Sequence, residues 1–123
     1  MNGNKLLLDT NILLYLLGGD KTLAVLLEGK STYTSFITEL ELFGFGTLKA
    51  KEKLGIKKAL EQCTIIDINA GIKQLTIETR QTFGLALPDC IIAATAIYLD
   101  IPLITADQGF KKIKSLDIIL YEK

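Results

Sequence analysis

With 123 residues, 49% of them hydrophobic, the chain is sized for a single domain spanning 1–123 that needs no disulfide staples. Its 14 Lys and Arg balance 14 Asp and Glu, so it lacks the excess basic charge of a typical nucleic-acid binder, and any such contact must be local. Histidine is absent, which excludes nuclease and serine or cysteine hydrolase chemistry built on a histidine base and removes zinc's commonest nitrogen ligand.

Taken in chain order, short apolar runs alternate with amphipathic stretches. Met1 to Lys5 does not read as a leader, and the apolar stretch Ile12 to Leu17 is too short to cross a bilayer. A cytoplasmic, membrane-free protein is therefore expected. Leu6-Leu7-Leu8 predicts a strand buried on both faces, followed by a helix over 11–17 that Gly18-Gly19 ends. A second helix is expected over 21–28, a strand over 32–36, and helices over 38–48 and 50–62. Thr64-Ile65-Ile66 is the next strand. Residues 70–83 are amphipathic and helical, with Gly84 as terminator. Pro88 suits the first position of an apolar helix carrying 89–99. Strands at 103–105 and 118–120 flank a short helix after Asp107. This alternation predicts an α/β fold whose parallel sheet is covered on both faces, with a ligand site beyond the carboxyl ends of the strands. The two cysteines, Cys63 and Cys90, form no C-x-x-C motif and read as buried thiols of a reducing compartment.

Four acids stand at the edges of these apolar segments: Asp9, Glu41, Asp89 and Asp107. Each has an ordinary structural explanation. Asp9 and Asp107 can cap helices, Asp89 lies in a first helical turn, and Glu41 follows Thr38 at capping-box spacing. Together they come from separate elements that a doubly wound sheet can bring to one edge. Two carboxylates about 4 Å apart repel by about 4 kcal/mol at an effective dielectric near 20, so several would call for protons or a cation. Hard oxygen ligands of this kind select Mg²⁺ or Mn²⁺.

Four segments then meet a family. Leu6-Leu7-Leu8-Asp9-Thr10-Asn11, Ser35-Phe36-Ile37-Thr38-Glu39-Leu40-Glu41-Leu42, Asp89-Cys90-Ile91-Ile92-Ala93-Ala94-Thr95-Ala96 and Leu103-Ile104-Thr105-Ala106-Asp107-Gln108-Gly109-Phe110 occur in the order of the PIN domain motifs. In size the chain most resembles VapC-type toxins of toxin–antitoxin pairs. The resemblance implies a three-layer α/β/α sandwich with a parallel sheet and an Mg²⁺- or Mn²⁺-dependent endoribonuclease. It carries Asp9, Glu41, Asp89 and Asp107 over as the catalytic acids, with Asp9, Asp89 and Asp107 as metal ligands. Thr10, Ser35, Thr38 and Thr105 become polar supports, for which ordinary capping and turn chemistry is the alternative. Glu39 is two residues from Glu41, cannot share its helix face, and is expected in solvent.

Two basic groups stand out. Lys49, Lys51, Lys53, Lys57 and Lys58 read as a solvated helix face. Lys111 and Lys112, with Lys114 beyond them, follow Asp107 closely and are placed to hold a substrate phosphate. Phe110 reads as a core anchor. The apolar residues Phe36, Leu40, Leu42, Phe43, Phe45 and Leu48 exceed what one helix face needs, which leaves core burial, a homodimer surface or a groove for a small antitoxin open. Alternative functions are an RNA-processing PIN nuclease that is not a toxin, and a non-catalytic module binding RNA or protein. A phosphoaspartate enzyme fits poorly, because Asn11 stands where an Asp-x-Asp motif needs its second acid.

Overall fold

In the computed structural model, residues 3–123 are described; Met1 and Asn2, the start of the segment read as lacking a leader, lie outside the described residues. The strands are β1 (Lys5–Leu8), β2 (Ser31–Ser35), β3 (Thr64–Ile66), β4 (Leu103–Thr105) and β5 (Ile118–Leu120). The helices are α1 (Thr10–Leu17), α2 (Lys21–Leu27), α3 (Phe36–Phe43), α4 (Ala50–Glu61), α5 (Ala70–Phe83) and α6 (Leu87–Leu99), with a 3-10 helix at Gln108–Lys112. All strand pairings are parallel and the order is β3-β2-β1-β4-β5. The chain steps outward from β1 through β2 to β3, then returns to the other side of β1 for β4 and β5. The reversal falls between β1 and β4, where open parallel sheets form their ligand crevice.

Period-two alternation explains why both faces of β1 are apolar. Leu6 and Leu8 pack with Ile12, Leu13, Leu23, Ile56 and Leu60 on one face, which α1, α2 and α4 cover. Leu7 points the other way, into a core with Ile92, Ala93, Ala96 and Phe110. Leu103 and Ile104 of β4 divide between the same two cores. The result is the expected three-layer α/β/α arrangement. The run Cys90–Ala96 in α6 is buried without a gap, so this helix lies against the sheet and α5 covers it from outside. Among the described residues, no helix is long and apolar enough to cross a membrane.

Several boundaries differ from expectation. Helix α3 runs over Phe36–Phe43 instead of 38–48. Ser35 starts it, its hydroxyl accepting from the Ile37 amide at 3.2 Å. Gly44 ends it, and Gly46 adopts a left-handed φ of 41° that breaks the apolar run. Thr38 therefore lies inside the helix, and the capping box that was the alternative explanation of Glu41 does not form. Helix α6 begins at Leu87, so Pro88 takes its second position. Gly84 ends α5 at φ 65°, as its sequence context predicts. Cys90 is buried, but Cys63 is only half-buried.

Candidate metal centre

The end of β1 fixes the first acid. Asp9 leaves the strand in extended conformation and caps α1, its Oδ1 accepting from the Thr10 amide at 2.8 Å. Its backbone amide donates to the Ile104 carbonyl at 3.0 Å, which ties it to β4. From the end of β4, the Thr105 hydroxyl donates to Asp9 Oδ2 at 2.6 Å. Thr105 in turn accepts from the Asp107 amide at 3.0 Å, and Asp107 Oδ1 accepts from the Gly109 amide at 2.8 Å. One hydrogen-bonded path thus links both strand ends at the switch point.

A second path holds Glu41. The Thr10 hydroxyl donates to Glu41 Oε1 at 2.7 Å and lies 2.9 Å from the Thr38 hydroxyl. Thr10 has one hydroxyl proton, already given to Glu41, so Thr38 is the donor in the second contact. The caps and the cleft use the same atoms: Asp9 and Asp107 both cap helical turns and both line the cleft. Their capping roles explain their local geometry without removing them from the site.

Asp9, Glu41, Asp89 and Asp107 all line one cleft of about 290 Å³, together with Thr10, Asn11, Leu14, Leu42 and Phe45. No cationic side chain is among these lining residues. Asp9 is 5% exposed, and burial raises its pKa. The hydrogen bonds from Thr105 and Thr10 oppose that rise, while Asp107 and Glu41 add to it by repulsion. Asp89, in the first turn of α6, is pushed up to about 6, chiefly by loss of solvent and then by the charges of Asp9, Asp107 and Glu41. Asp9 and Asp89 therefore feel the other acids of the cleft, and no cation on its walls neutralises them.

The donor chemistry fits a hard divalent cation: carboxylate oxygens from four elements, no sulfur and no imidazole. The Asn11 amide oxygen is also buried in this neighbourhood with no hydrogen-bond partner. Among the described residues, no three Asp, Glu or Cys side chains stand close enough together to hold a metal ion as they are placed.

Other expected residues fall elsewhere. Ser35 is fully buried and acts as the α3 cap. Lys111 and Lys112 lie exposed on the 3-10 helix and do not line the cleft. Phe110 is buried, as expected. Glu39 is half-buried, not solvated, and lines a different groove with Lys57, Glu61 and Cys63. Asn11, Leu14 and Phe45 also line the cleft and were not expected there. For Asn11 the signal was the polar pair Thr10-Asn11 opening an apolar helix.

No curated protein sequence matches the chain. Among solved structures, it is similar to a toxin–antitoxin complex from Klebsiella pneumoniae, with 33% identity and a TM-score of 0.77 over 95% of this chain and 98% of the matched one. VapBC-1 from nontypeable Haemophilus influenzae gives 26% identity and a TM-score of 0.77, covering 94% and 97%. VapBC2 from Rickettsia felis, bound to a DNA fragment from its promoter, shares the fold at 23% identity and a TM-score of 0.82, covering 96% and 99%. The PIN domain family model matches residues 6–116, a span that takes in all four acids of the cleft. With the parallel sheet and the acids at its switch point, that match makes this chain a member of the PIN domain family.

Proposed function

We propose that the protein is an endoribonuclease dependent on Mg²⁺ or Mn²⁺, and the toxin of a type II toxin–antitoxin pair. The observation that carries this reading is the convergence of Asp9, Glu41, Asp89 and Asp107 on one cleft without a cationic neighbour. Membership of the PIN family and the likeness to toxin–antitoxin structures support it.

Asp9, Asp89 and Asp107 would hold the cation, with Glu41 binding or orienting from the side. When bound, the cation supplies charge neutralisation at the scissile phosphate and a more acidic water. The protein's own contribution is orientation. Thr105 and the Thr10 amide each hold one oxygen of Asp9, and the Thr38–Thr10 relay turns Glu41 toward the cleft. Burial and neighbouring acids favour the protonated forms of both Asp89, whose carboxyl is pushed up to about 6, and Asp9, so both must ionise before the acids act together. Attack by water leaves a 5′-phosphate and a 3′-hydroxyl, with no 2′,3′-cyclic product. Lys111 and Lys112 are exposed just past Asp107, where they would meet the RNA backbone leaving the cleft.

A small antitoxin is the proposed inhibitor. An apolar groove of about 500 Å³, lined by Leu14, Leu17, Leu42, Phe45, Leu48 and Ile56, adjoins the acids and shares Leu14, Leu42 and Phe45 with their cleft. Leu40 and Phe43 are exposed on α3 and suit a homodimer contact, which sedimentation of the purified protein would detect. We place the protein in the cytoplasm, where its RNA substrate would be.

The test is cleavage of end-labelled single-stranded RNA with and without Mn²⁺, by wild type, Asp9→Asn and Asp89→Asn. The expected outcome is Mn²⁺-dependent cleavage with 5′-phosphate ends, reduced more than about 100-fold in each variant. Cyclic-phosphate ends, or equal cleavage by all three proteins, would refute the assignment.

A further inference from the structure

Among the described residues, no large apolar side chain is more exposed than Phe45, at 68%. Leaving an aromatic ring in water forgoes the gain of burying it. Local sequence explains how the ring is held there. Phe45 stands between Gly44, which ends α3, and Gly46, whose φ of 41° is left-handed. A Cβ on residue 44 would lie 2.6 Å from the Leu40 carbonyl oxygen, whereas one on residue 46 would meet nothing within 4 Å. The turn therefore depends on both glycines and presents the ring on an open rim. That rim is shared. Phe45 lines the cleft of the four acids and also the adjoining apolar groove, where Lys51 of α4 brings an exposed cation to the wall. Glu52 of the same wall is turned back onto the Lys49 amide, its Oε1 accepting at 3.0 Å. The surface thus passes from carboxylates, through an aromatic ring, to a lysine. A single-stranded polynucleotide offers the matching series: a phosphate for the metal, a base with an apolar face, and further phosphates for a cation.

We infer that Phe45 is a substrate-binding residue whose ring stacks on a nucleobase beside the scissile phosphate, with the RNA strand running on past Lys51. This rests on the reading of the cleft as a ribonuclease site and says how that site takes its substrate. The ring makes no hydrogen bonds to base edges, so it accepts any base and selects for an unpaired one. A duplex, whose base faces are already stacked, offers it nothing. An antitoxin seated in the groove would cover the same ring, so inhibitor and substrate base would exclude one another there.

The chain contains no tryptophan, so Phe45→Trp places a single indole fluorophore at the stacking position. The purified variant is mixed in a stopped-flow cell, with Mn²⁺, with a short oligouridylate or with an abasic oligomer of equal length. Stacking is expected to quench the indole as oligouridylate binds, before cleavage, and the abasic oligomer to leave it bright. Wild type and Phe45→Leu are then compared by single-turnover cleavage of the oligouridylate at rising protein concentration. Loss of the ring is expected to raise the half-saturating concentration about 5–150-fold, the effect of losing one stacked base. Mn²⁺ affinity, read from the electron paramagnetic resonance signal of free Mn²⁺, and the thermal midpoint are expected to stay at wild-type values. Lys51→Gln is expected to lower the salt dependence of half-saturation by about 0.7 log units per log unit of salt. Equal quenching by both oligomers, or none by either, would overturn the inference. Wild-type half-saturation in Phe45→Leu would overturn it too, leaving the nuclease reading intact. A lowered midpoint or weakened Mn²⁺ binding in Phe45→Leu would show that the ring serves the fold, which also contradicts it. An unchanged salt dependence in Lys51→Gln would overturn the path past that lysine. Wild type that neither binds nor cleaves the oligouridylate would overturn this inference together with the reading beneath it.

Discussion

Thr105 and Thr10 hold two acids of the cleft, Asp9 and Glu41, by hydrogen bonds that cross between elements. Thr105 is fully buried, and its contact with Asp9 bridges two strand ends 96 residues apart in sequence. Thr105→Val keeps the shape and removes that bond, so Asp9 loses its largest opposition to burial. A hydrogen bond to a charged group is worth about 1.5–3 kcal/mol, and urea unfolding is expected to show a loss of that order. Asp89 makes the opposite prediction. Its pKa is about 6 in the folded protein against about 3.9 when unfolded. An acid raised by folding holds its proton more tightly in the native state. No stability is lost below pH 4; the loss grows as pH rises towards 6 and is complete above it. Asp89→Asn is therefore expected to raise the metal-free thermal midpoint at pH 7.5 and to leave it unchanged at pH 4, while abolishing cleavage. The four acids were legible in the sequence because each interrupts an apolar run. The place of Leu14 and Phe45 on the cleft wall was not, because it depends on neighbours that only the fold brings together.

At the scale of elements, α1 does most to join core and cleft. Its Ile12 and Leu13 are buried in the core, while Thr10, Asn11 and Leu14 face the acids. Ile12→Ala is expected to cost about 2–5 kcal/mol by the cavity it leaves, measured by denaturant titration. Mn²⁺ affinity should fall with it, because the helix that positions Thr10 loses its seat. Strand and helix order could be read from the sequence because Leu6–Leu8, Thr64–Ile66 and Leu103–Thr105 are apolar or β-branched runs with clear boundaries. Helix α3 was harder. The residues Phe43-Gly44-Phe45-Gly46 keep a helix-like apolar density, but the two glycines turn the chain away. That turn carries Phe45 to the cleft wall instead of along the helix. Glu39 and Glu41 divide between two grooves, as their spacing on one helix requires, although Glu39 is more enclosed than its polarity suggested.

For the whole molecule, balanced charge leaves local fields to do the work. The cleft concentrates four acids where β1 and β4 part company, and Lys111 and Lys112 stand outside it on the next turn. Such a site repels a polyanion until a cation is bound, so RNA affinity should rise with Mn²⁺ as well as turnover. The α/β class and a site beyond the strands' carboxyl ends followed from the alternation of strands and helices, and the three-layer sandwich from the family resemblance; the strand order itself did not. The exact distances did not, because three-residue strands leave the register to be set by hydrogen bonds such as Asp9 to Ile104.

Whether these acids share one divalent ion is decided by anomalous diffraction from crystals grown with Mn²⁺. An anomalous peak is expected inside the cleft, within coordination reach of Asp9 and at least one of Asp89 and Asp107. Crystals showing Mn²⁺ only at other sites, with the four carboxylates unoccupied at millimolar metal, would contradict it.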